Sequence, residues 1–149
     1  MTLRRLFKSD LLAILAIEQQ VHVVPWSKET FEACFDSGYD GWVFENNGKV
    51  IGFIIVSLRA DECHILNICV SREHQHQGWG RKLMEEALVS ARRKGVAIAY
   101  LEVRRSNETA IALYQKMEFQ AVGERKNYYP TTNGQEDALI FAKSLVKNN

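Results

Sequence analysis

The sequence has 149 residues, of which 46% are hydrophobic and 25% are charged, and this composition is that of an ordinary globular protein. The length is typical of one domain with a substantial core, so we expect residues 1–149 to form a single domain. The formal net charge of +1 gives no electrostatic support for nucleic acid or an anionic membrane as the main partner.

Apolar segments bounded by capping and turn residues predict the elements of the first half of the chain. Ser9 and Ser27 are suitable N-caps, and Asn46-Asn47-Gly48 is typical of a tight hairpin turn. The predicted elements are an edge strand over residues 2–6, a helix over residues 10–20, a second helix through residue 35 that Gly38 ends, and hairpin strands over residues 40–45 and 49–58.

In the second half, strands alternate with helices. The predicted elements are a strand over residues 63–70, a helix over residues 78–94 that Gly95 ends, a strand over residues 96–103, a helix from the cap Asn107 to Met117, and an antiparallel pair over residues 119–124 and 138–145 joined by a loop. This order predicts an α/β fold of the mixed α+β type, with helices on both faces of the sheet. The strand, glycine-rich loop, helix and strand over residues 63–103 predict a right-handed βαβ crossover.

The loop at the centre of this crossover reads Gln75-His76-Gln77-Gly78-Trp79-Gly80. Glycines let the backbone approach a bulky anion, and the unpaired N–H groups of a first helical turn attract a phosphate. Spacing alone favours the alternative of a structural strand-to-helix turn, because most Gly-x-Gly pairs are simply turns. A dinucleotide fingerprint would need a third glycine where Leu83 stands, and the Gly-Lys-Ser/Thr sequence of a P-loop is absent.

Two side chains near this loop are candidates for proton transfer. Glu102, at the end of a strand, could accept a proton, or it could be a structural carboxylate paired with Arg104 or Arg105. Tyr114, on the helix that Asn107 caps, could donate a proton to a departing thiolate, although an aromatic residue at this spacing is more often part of the core. Together the two roles would serve acyl transfer from a thioester to an amine.

Several segments carry a resemblance to one family. They are Ile68-Cys69-Val70, Gln75-His76-Gln77-Gly78-Trp79-Gly80-Arg81, Leu101-Glu102-Val103-Arg104, Ser106-Asn107, Ala110-Ile111-Ala112-Leu113-Tyr114 and Asn127-Tyr128-Tyr129-Pro130. Gln-x-x-Gly-x-Gly after a strand resembles the coenzyme A loop of the GNAT superfamily of N-acetyltransferases. The whole set, which spans most of the chain, resembles the bacterial ribosomal-protein-alanine N-acetyltransferases within it.

The resemblance implies a GNAT fold, in which a mostly antiparallel central sheet is opened by a parallel βαβ splay. It implies direct transfer from acetyl-CoA to the N-terminal alanine of a small-subunit ribosomal protein in a ternary complex, with Glu102 as base and Tyr114 as acid. It also implies coenzyme contacts from Ile68, Cys69 and Val70, from His76, Gln77, Gly78, Trp79, Gly80 and Arg81, and from Asn107. His76 and Gln77 stand where the family often has basic residues, which we expect to weaken only the electrostatic part of binding.

The acceptor remains open at this level. An α-amine of pKa near 7.7–8.0 is about one part in ten neutral at pH 7, whereas a lysine of pKa about 10.4 is neutral in about one part in 2,500. An N-terminal acceptor is therefore chemically easier, but acetylation of lysines or small amines and a non-catalytic acyl-CoA-binding module are the alternatives. Tyr128 and Tyr129 either line the acceptor channel or only pack the last two strands.

The cysteines and histidines favour no metal site. Cys34, Cys63 and Cys69 lack CxxC or zinc spacing, and we expect Cys69 to be a small core residue rather than a nucleophile. His22, His64 and His74 show no ligand spacing with one another. The N-terminal stretch lacks a signal-peptide cleavage site, and no run approaches the about 18 apolar residues of a membrane span, so we expect a cytoplasmic protein.

Overall fold

The computed structural model describes residues 1–146. The strands are β1 Thr2–Arg5, β2 Asp40–Asn46, β3 Lys49–Arg59, β4 Glu62–Val70, β5 Ile98–Arg104, β6 Gln120–Thr131 and β7 Gly134–Ser144. The helices are α1 Leu11–Val21, α2 Lys28–Asp36, α3 Trp79–Arg93 and α4 Glu108–Lys116, with short 3-10 turns at Lys8–Asp10 and Arg72–His74. None of the helices in these residues is long and apolar enough to cross a membrane.

The seven strands form one mixed sheet in the order β1-β2-β3-β4-β5-β7-β6. The pair β4 and β5 is parallel and is joined through α3, while the other neighbouring strands are antiparallel. This arrangement confirms the predicted mixed sheet, mostly antiparallel with one parallel βαβ unit.

Successive hydrophobic side chains of the central strands alternate between the two faces of the sheet, and each face carries a hydrophobic core. Trp42 and Ile54 belong to the cluster that contains the buried residues of α3 and Tyr114 of α4. Their neighbours Val43 and Phe53 belong to the cluster that contains buried residues of α1 and α2. Since successive side chains of a strand point to opposite faces, the two clusters lie on opposite sides, as the prediction of helices on both faces requires.

The sheet opens between β4 and β5. Their parallel pairing runs from Glu62 opposite Ile98 to Ile65 opposite Leu101. The antiparallel register between β4 and β3 shifts at the same point, because Ile65 and Asn67 lie opposite consecutive residues of β3. Leu66 is thus the extra residue of a β-bulge, which bends its strand. Beyond it β5 continues against β7, so the two parallel strands diverge and leave a gap in the sheet.

One predicted cap was wrong. The first helix begins at Leu11, and Ser9 lies in the 3-10 turn before it. Asp10 takes the N-cap position without a side-chain cap bond, because its carboxylate instead binds the Arg4 guanidinium and accepts a hydrogen bond from the Phe7 N–H. The other two predicted caps are confirmed: Ser27 accepts from the Thr30 N–H at 3.2 Å, and Asn107 from the Ala110 N–H at 3.1 Å.

The predicted loop between the last two strands was also wrong. Strand β6 extends to Thr131 and β7 begins at Gly134, so most of the residues expected to be a loop are strand. The register shifts between Arg125 and Tyr129, with Asn127 at a φ of 52°. Glycine, asparagine and proline are typical of loops, but Pro130 is tolerated because β6 is an edge strand.

Candidate active site

The glycine-rich loop lies at the carboxyl end of β4, where the gap opens. Gly78 is the N-cap of α3 and has a φ of 88°, in the left-handed region that favours glycine. The first turn of α3 has neither an acidic residue nor a side-chain cap bond. Its N–H groups are therefore available to an anion, as the phosphate-binding hypothesis needs.

Hydrogen bonds within the segment and to β4 fix the shape of the loop. The Gln75 side-chain amide donates to the Val70 carbonyl at 2.9 Å, and the Ser71 hydroxyl lies 2.7 Å from Nδ1 of His74. The Trp79 indole packs on Phe44, with ring centroids 5.1 Å apart. The start of α3 is thus anchored to the sheet, which keeps its N–H groups in place.

The three residues expected to bind the coenzyme arm, Ile68, Cys69 and Val70, follow the bulge on β4. They pair with β3 on one side, and their other side faces the gap, because the described pairing with β5 ends at Ile65. Cys69 is buried, and burial, followed by the charge of Glu18, raises the pKa of its thiol far above the ordinary value. A thiol that stays protonated is unsuited to nucleophilic attack.

Glu102 lies on β5 just past the last parallel pair, and its carboxylate accepts a hydrogen bond from Nε of Arg125 at 3.0 Å. The interpretation that Glu102 pairs with Arg104 or Arg105 was therefore wrong. Arg104 instead binds Glu136 at 3.0 Å, and Arg105 binds carboxylates of β6 and β7. The partner of Glu102 comes from β6, 23 positions away in sequence.

Tyr114 is buried, with 6% of its surface exposed, and its ring packs near Phe119 at 6.1 Å between centroids. Burial raises the pKa of Tyr114 to about 12. The hydroxyl therefore carries its proton at neutral pH. The packing agrees with the core interpretation, and the protonation state is the one that a proton donor needs.

Tyr129 lies within electrostatic reach of Glu102. Its pKa is raised well above the ordinary value, chiefly by burial and then by the negative charge of Glu102. Burial and the charge of Glu102 also raise the pKa of Tyr128, whose ring lies 5.0 Å from that of Tyr129. Both tyrosines of β6 thus lie within electrostatic reach of Glu102.

A cavity of about 390 Å³ opens beside Glu102. Both tyrosines of β6 line it, so they do more than pack the last two strands. Trp26, from the segment between α1 and α2, also lines it. The lining consists of Trp26, Glu62, His64, Ile65, Leu66, Tyr100, Leu101, Glu102, Arg125, Tyr128, Tyr129 and Ile140.

The remaining predicted coenzyme residues lie at two places on the surface. Asn107 is exposed and uses its side-chain oxygen to cap α4, which leaves its amide N–H₂ available. Arg81, in the first turn of α3, pairs with Glu85 at 3.0 Å, and both side chains are about half exposed. Neither contact prevents binding of a ligand, so both residues stay predicted coenzyme contacts.

The pattern of the acetyltransferase (GNAT) family matches residues 10–119. The chain belongs to the GNAT family. The predicted N-acetyltransferase family and fold are therefore confirmed, and acetyl-CoA is the acetyl donor of this family. The match includes the glycine-rich loop, Glu102 and Tyr114, but it does not test the role of any of these residues.

Individual relatives resemble this GNAT protein over nearly their whole length. The ribosomal protein bS18-alanine N-acetyltransferase of Escherichia coli K12 is 43% identical over 141 residues, which are 95% of each chain. The crystal structure of the E. coli ribosomal-protein-S18-alanine N-acetyltransferase superposes with a TM-score of 0.93 at 40% identity, covering 99% of this chain and 96% of that one. A Salmonella typhimurium protein solved with its cofactor acetyl-CoA shares the fold, with a TM-score of 0.84 at 22% identity over 100% of this chain and 96% of that one.

Sequence reasoning missed one buried polar cluster of this GNAT protein. Glu18 of α1 is 1% exposed, and its carboxylate accepts hydrogen bonds from the Trp26 N–H and the Asn67 side-chain amide. The sequence signal that could have revealed this cluster is the position of Glu18, a charged residue next to Ile17 on the apolar face of α1. Glu18, His22 and Cys69 place three possible metal-ligand atoms within 4.8 Å of one another, but N–H donors already occupy both carboxylate oxygens. The absence of a metal site stays a prediction.

Proposed function

We propose that this protein is an Nα-acetyltransferase that transfers the acetyl group of acetyl-CoA to the N-terminal alanine of ribosomal protein bS18. The observation that carries the proposal is the 43% identity, over 95% of both chains, to an enzyme named for that reaction. We further propose that a single domain carries the activity, without nucleic acid or membrane as a direct partner, in the cytoplasm.

The coenzyme would lie along the gap between β4 and β5. The N–H groups of residues 76–81 would bind its diphosphate at the start of α3, since a helix N-terminus favours negative charge. The edge of β4 at Ile68–Val70 would hold the pantetheine arm, and its main-chain N–H groups would stabilise the oxyanion of the thioester. Asn107 would contact the coenzyme through its free amide. The support is the divergence of the strands and the uncapped first turn of α3.

In the proposed reaction the neutral amine attacks the thioester carbonyl while Glu102 accepts the proton that the nitrogen loses. The C–N bond forms, the C–S bond breaks, and the sulfur leaves with the electron pair of that bond. Tyr114 donates its proton to this sulfur, so that amide and thiol are the products. Support comes from the position of Glu102 on the cavity and from the protonated state of the Tyr114 hydroxyl.

The raised pKa of Tyr114, about 12, determines when this hydroxyl would give its proton to the leaving sulfur. A phenol this weak holds its proton at neutral pH, and it would share the proton with sulfur only as negative charge develops there. Ordinary thiols have a pKa of about 8.5, so complete transfer is favourable only while the thiolate is shielded from water.

The cavity beside Glu102 would receive the amine directly, so that both substrates are bound at once. Tyr128, Tyr129 and Trp26 would line the space around the amine. No covalent enzyme intermediate is needed, in keeping with the protonated thiol of Cys69. An α-amine suits this site, because it is about 250-fold more often neutral at pH 7 than a lysine.

A peptide panel tests the function. The purified protein is incubated with acetyl-CoA and a peptide that begins with the alanine of bS18, with the same peptide blocked at its N-terminus, and with lysine-containing peptides. Mass spectrometry should locate one acetyl group on the free α-amine. Modification of lysine alone would favour the lysine-acetyltransferase alternative, and coenzyme binding without product from any amine would favour the non-catalytic module.

A further inference from the structure

Glu18 is a buried carboxylate to which the proposed chemistry gives no role. It lies on the apolar face of α1 and is 1% exposed. Within residues 1–146 its one partner at ion-pair distance is His22, at 3.3 Å. Burying a carboxylate costs free energy unless hydrogen bonds replace its lost water. An apolar side chain would fill the same space without that cost.

The carboxylate connects three separate parts of the chain. Its Oε2 accepts from the main-chain N–H of Trp26 at 2.9 Å, and its Oε1 accepts from Nδ2 of Asn67 at 3.0 Å. Glu18 belongs to α1, Trp26 to the segment that leads into α2, and Asn67 to β4. Hydrogen bonds to a charged acceptor are stronger than neutral ones, so these contacts hold the segment against the strand.

Both partners lie at the edge of the candidate active site. Trp26 lines the cavity that contains Glu102, and its ring is also held by Phe31 at 5.3 Å between centroids. Asn67 is the first residue after the bulge, directly before Ile68. The segment over residues 22–27 lies outside any helix or strand, so the hydrogen bond from the Trp26 N–H is a direct restraint on its position.

We infer that Glu18 is a positioning residue of the acceptor site, which fixes the Trp26 wall of the cavity relative to strand β4. The inference rests on the proposed function, because it takes this cavity as the site of the amine. Glu18 touches neither substrate in this scheme. Its removal should let the wall move, so that the acceptor is held less tightly while the coenzyme, bound along β4 and α3, is little affected.

An exchange of donor and acceptor tests the inference. Asn67→Asp places a second carboxylate about 3 Å from Glu18 and should break the contact. The double variant Glu18→Gln with Asn67→Asp restores it in reverse, because the glutamine amide then donates to the new aspartate while its oxygen still accepts from the Trp26 N–H. Ile14→Val, a core substitution on the same helix, is the control for lost stability alone.

Steady-state kinetics are measured well below the melting temperature of each variant, with acceptor and acetyl-CoA varied separately. We expect Asn67→Asp to raise the KM for the acceptor about tenfold, with the KM for acetyl-CoA changed less than about twofold, and the double variant to return within about threefold of wild type. If Asn67→Asp does not fold, Asn67→Ala removes the same hydrogen bond without a second charge and replaces it in the comparison.

An unchanged acceptor KM in a folded single variant would overturn the inference, as would a rise no larger than that of Ile14→Val or a double variant that is not rescued. The variants are assayed with whichever amine the wild type acetylates. Failure of the alanine peptide with wild type would thus refute the proposed acceptor, whereas failure of the exchange would refute only the role of Glu18.

Discussion

At the scale of single residues, the site is defined by contacts between groups that are distant in sequence. Glu102 takes its hydrogen bond from Arg125 of β6 rather than from the neighbouring arginines, which bind other carboxylates. Tyr114 is at once a core residue and a protonated phenol. A residue type and its spacing suggest a role, but burial and partners decide whether the side chain is in the state that the role needs.

Tyr114→Phe removes only the hydroxyl and keeps the packing of the ring. We expect kcat to fall by on the order of 10²-fold, with the KM for acetyl-CoA changed less than about twofold, because general acid catalysis typically contributes at least that factor. Stopped-time assays with both substrates varied measure the two constants. Tyr39→Phe, outside the cavity, is the matched control, and an undiminished kcat in Tyr114→Phe would exclude its role as proton donor.

Glu102→Gln keeps the shape of the side chain but cannot accept a proton. We expect kcat/KM at pH 7 to fall by on the order of 10²-fold. Without a base the rate should follow the neutral fraction of the acceptor, rising about tenfold per pH unit until the α-amine titrates near 7.7–8.0. A pH–rate profile of the variant measures this. Glu124→Gln on β6, a carboxylate outside the cavity lining, should leave the profile unchanged.

At the scale of elements, the bulge and the glycine loop together form the candidate coenzyme site. Leu66 ends the parallel pairing and opens the gap, while Gly78 turns the chain so that α3 begins at the edge of that gap. The N–H groups of the first turn after β4 are available to an anion because α3 starts without a side-chain cap. The candidate site therefore depends on how β4 and α3 are placed relative to each other, rather than on either element alone.

Gly78→Ala tests the loop against a glycine of matched backbone geometry. Gly78 and Gly95 have φ values of 88° and 81°, and a Cβ at either position would meet no atom within 4 Å. Each alanine variant should lose about 1 kcal/mol of unfolding free energy from left-handed strain. Only Gly78→Ala should also raise the KM for acetyl-CoA severalfold. Equal KM values in the two variants would contradict coenzyme binding by this loop.

At the scale of the whole molecule, partly buried ion pairs of Arg4 join the edge strand β1 to β2 and to the turn before α1. Arg4 of β1 binds Asp10 at 2.8 Å and Glu45 of β2 at 2.7 Å. The guanidinium of Arg4, together with the Phe7 N–H, lowers the pKa of Asp10 against the opposing effect of burial. A carboxylate with a lowered pKa in the folded state stabilises the fold above its unfolded pKa, and this contribution is lost as the pH falls through the folded value.

Asp10→Asn should therefore destabilise the protein in a pH-dependent way. We expect a loss of about 1–3 kcal/mol at pH 7, because a charged hydrogen-bond acceptor is removed from a largely buried site. The difference from wild type should shrink as the pH drops below about 4, where the aspartate of the unfolded chain is itself protonated. Urea unfolding at several pH values measures it. Asp36→Asn, on an exposed residue, should show no such dependence.

Much of the fold follows from the sequence, since hydrophobic period and turn chemistry are local properties. The Asn-Gly hairpin, the Ser27 cap, the helix after the glycine loop and the crossover to β5 were all predicted. The errors lie where a tertiary contact outweighed a local preference. Ser9 lies in a 3-10 turn and does not cap α1, because the Asp10 carboxylate in that turn binds Arg4 and the Phe7 N–H. The residues around Pro130 form a strand because β7 supplies their hydrogen bonds.

The amino-acid order alone determined the family of this protein, its mixed sheet and the residue types that could move protons and bind a diphosphate. Only the tertiary structure decided that Arg125 pairs with Glu102, that Tyr128 and Tyr129 line a cavity beside it, and that a buried Glu18 connects Trp26 to β4. The physical reason is distance along the chain. Local patterns select helices, strands and turns, whereas burial and charge pairing depend on residues that meet only after the sheet has formed.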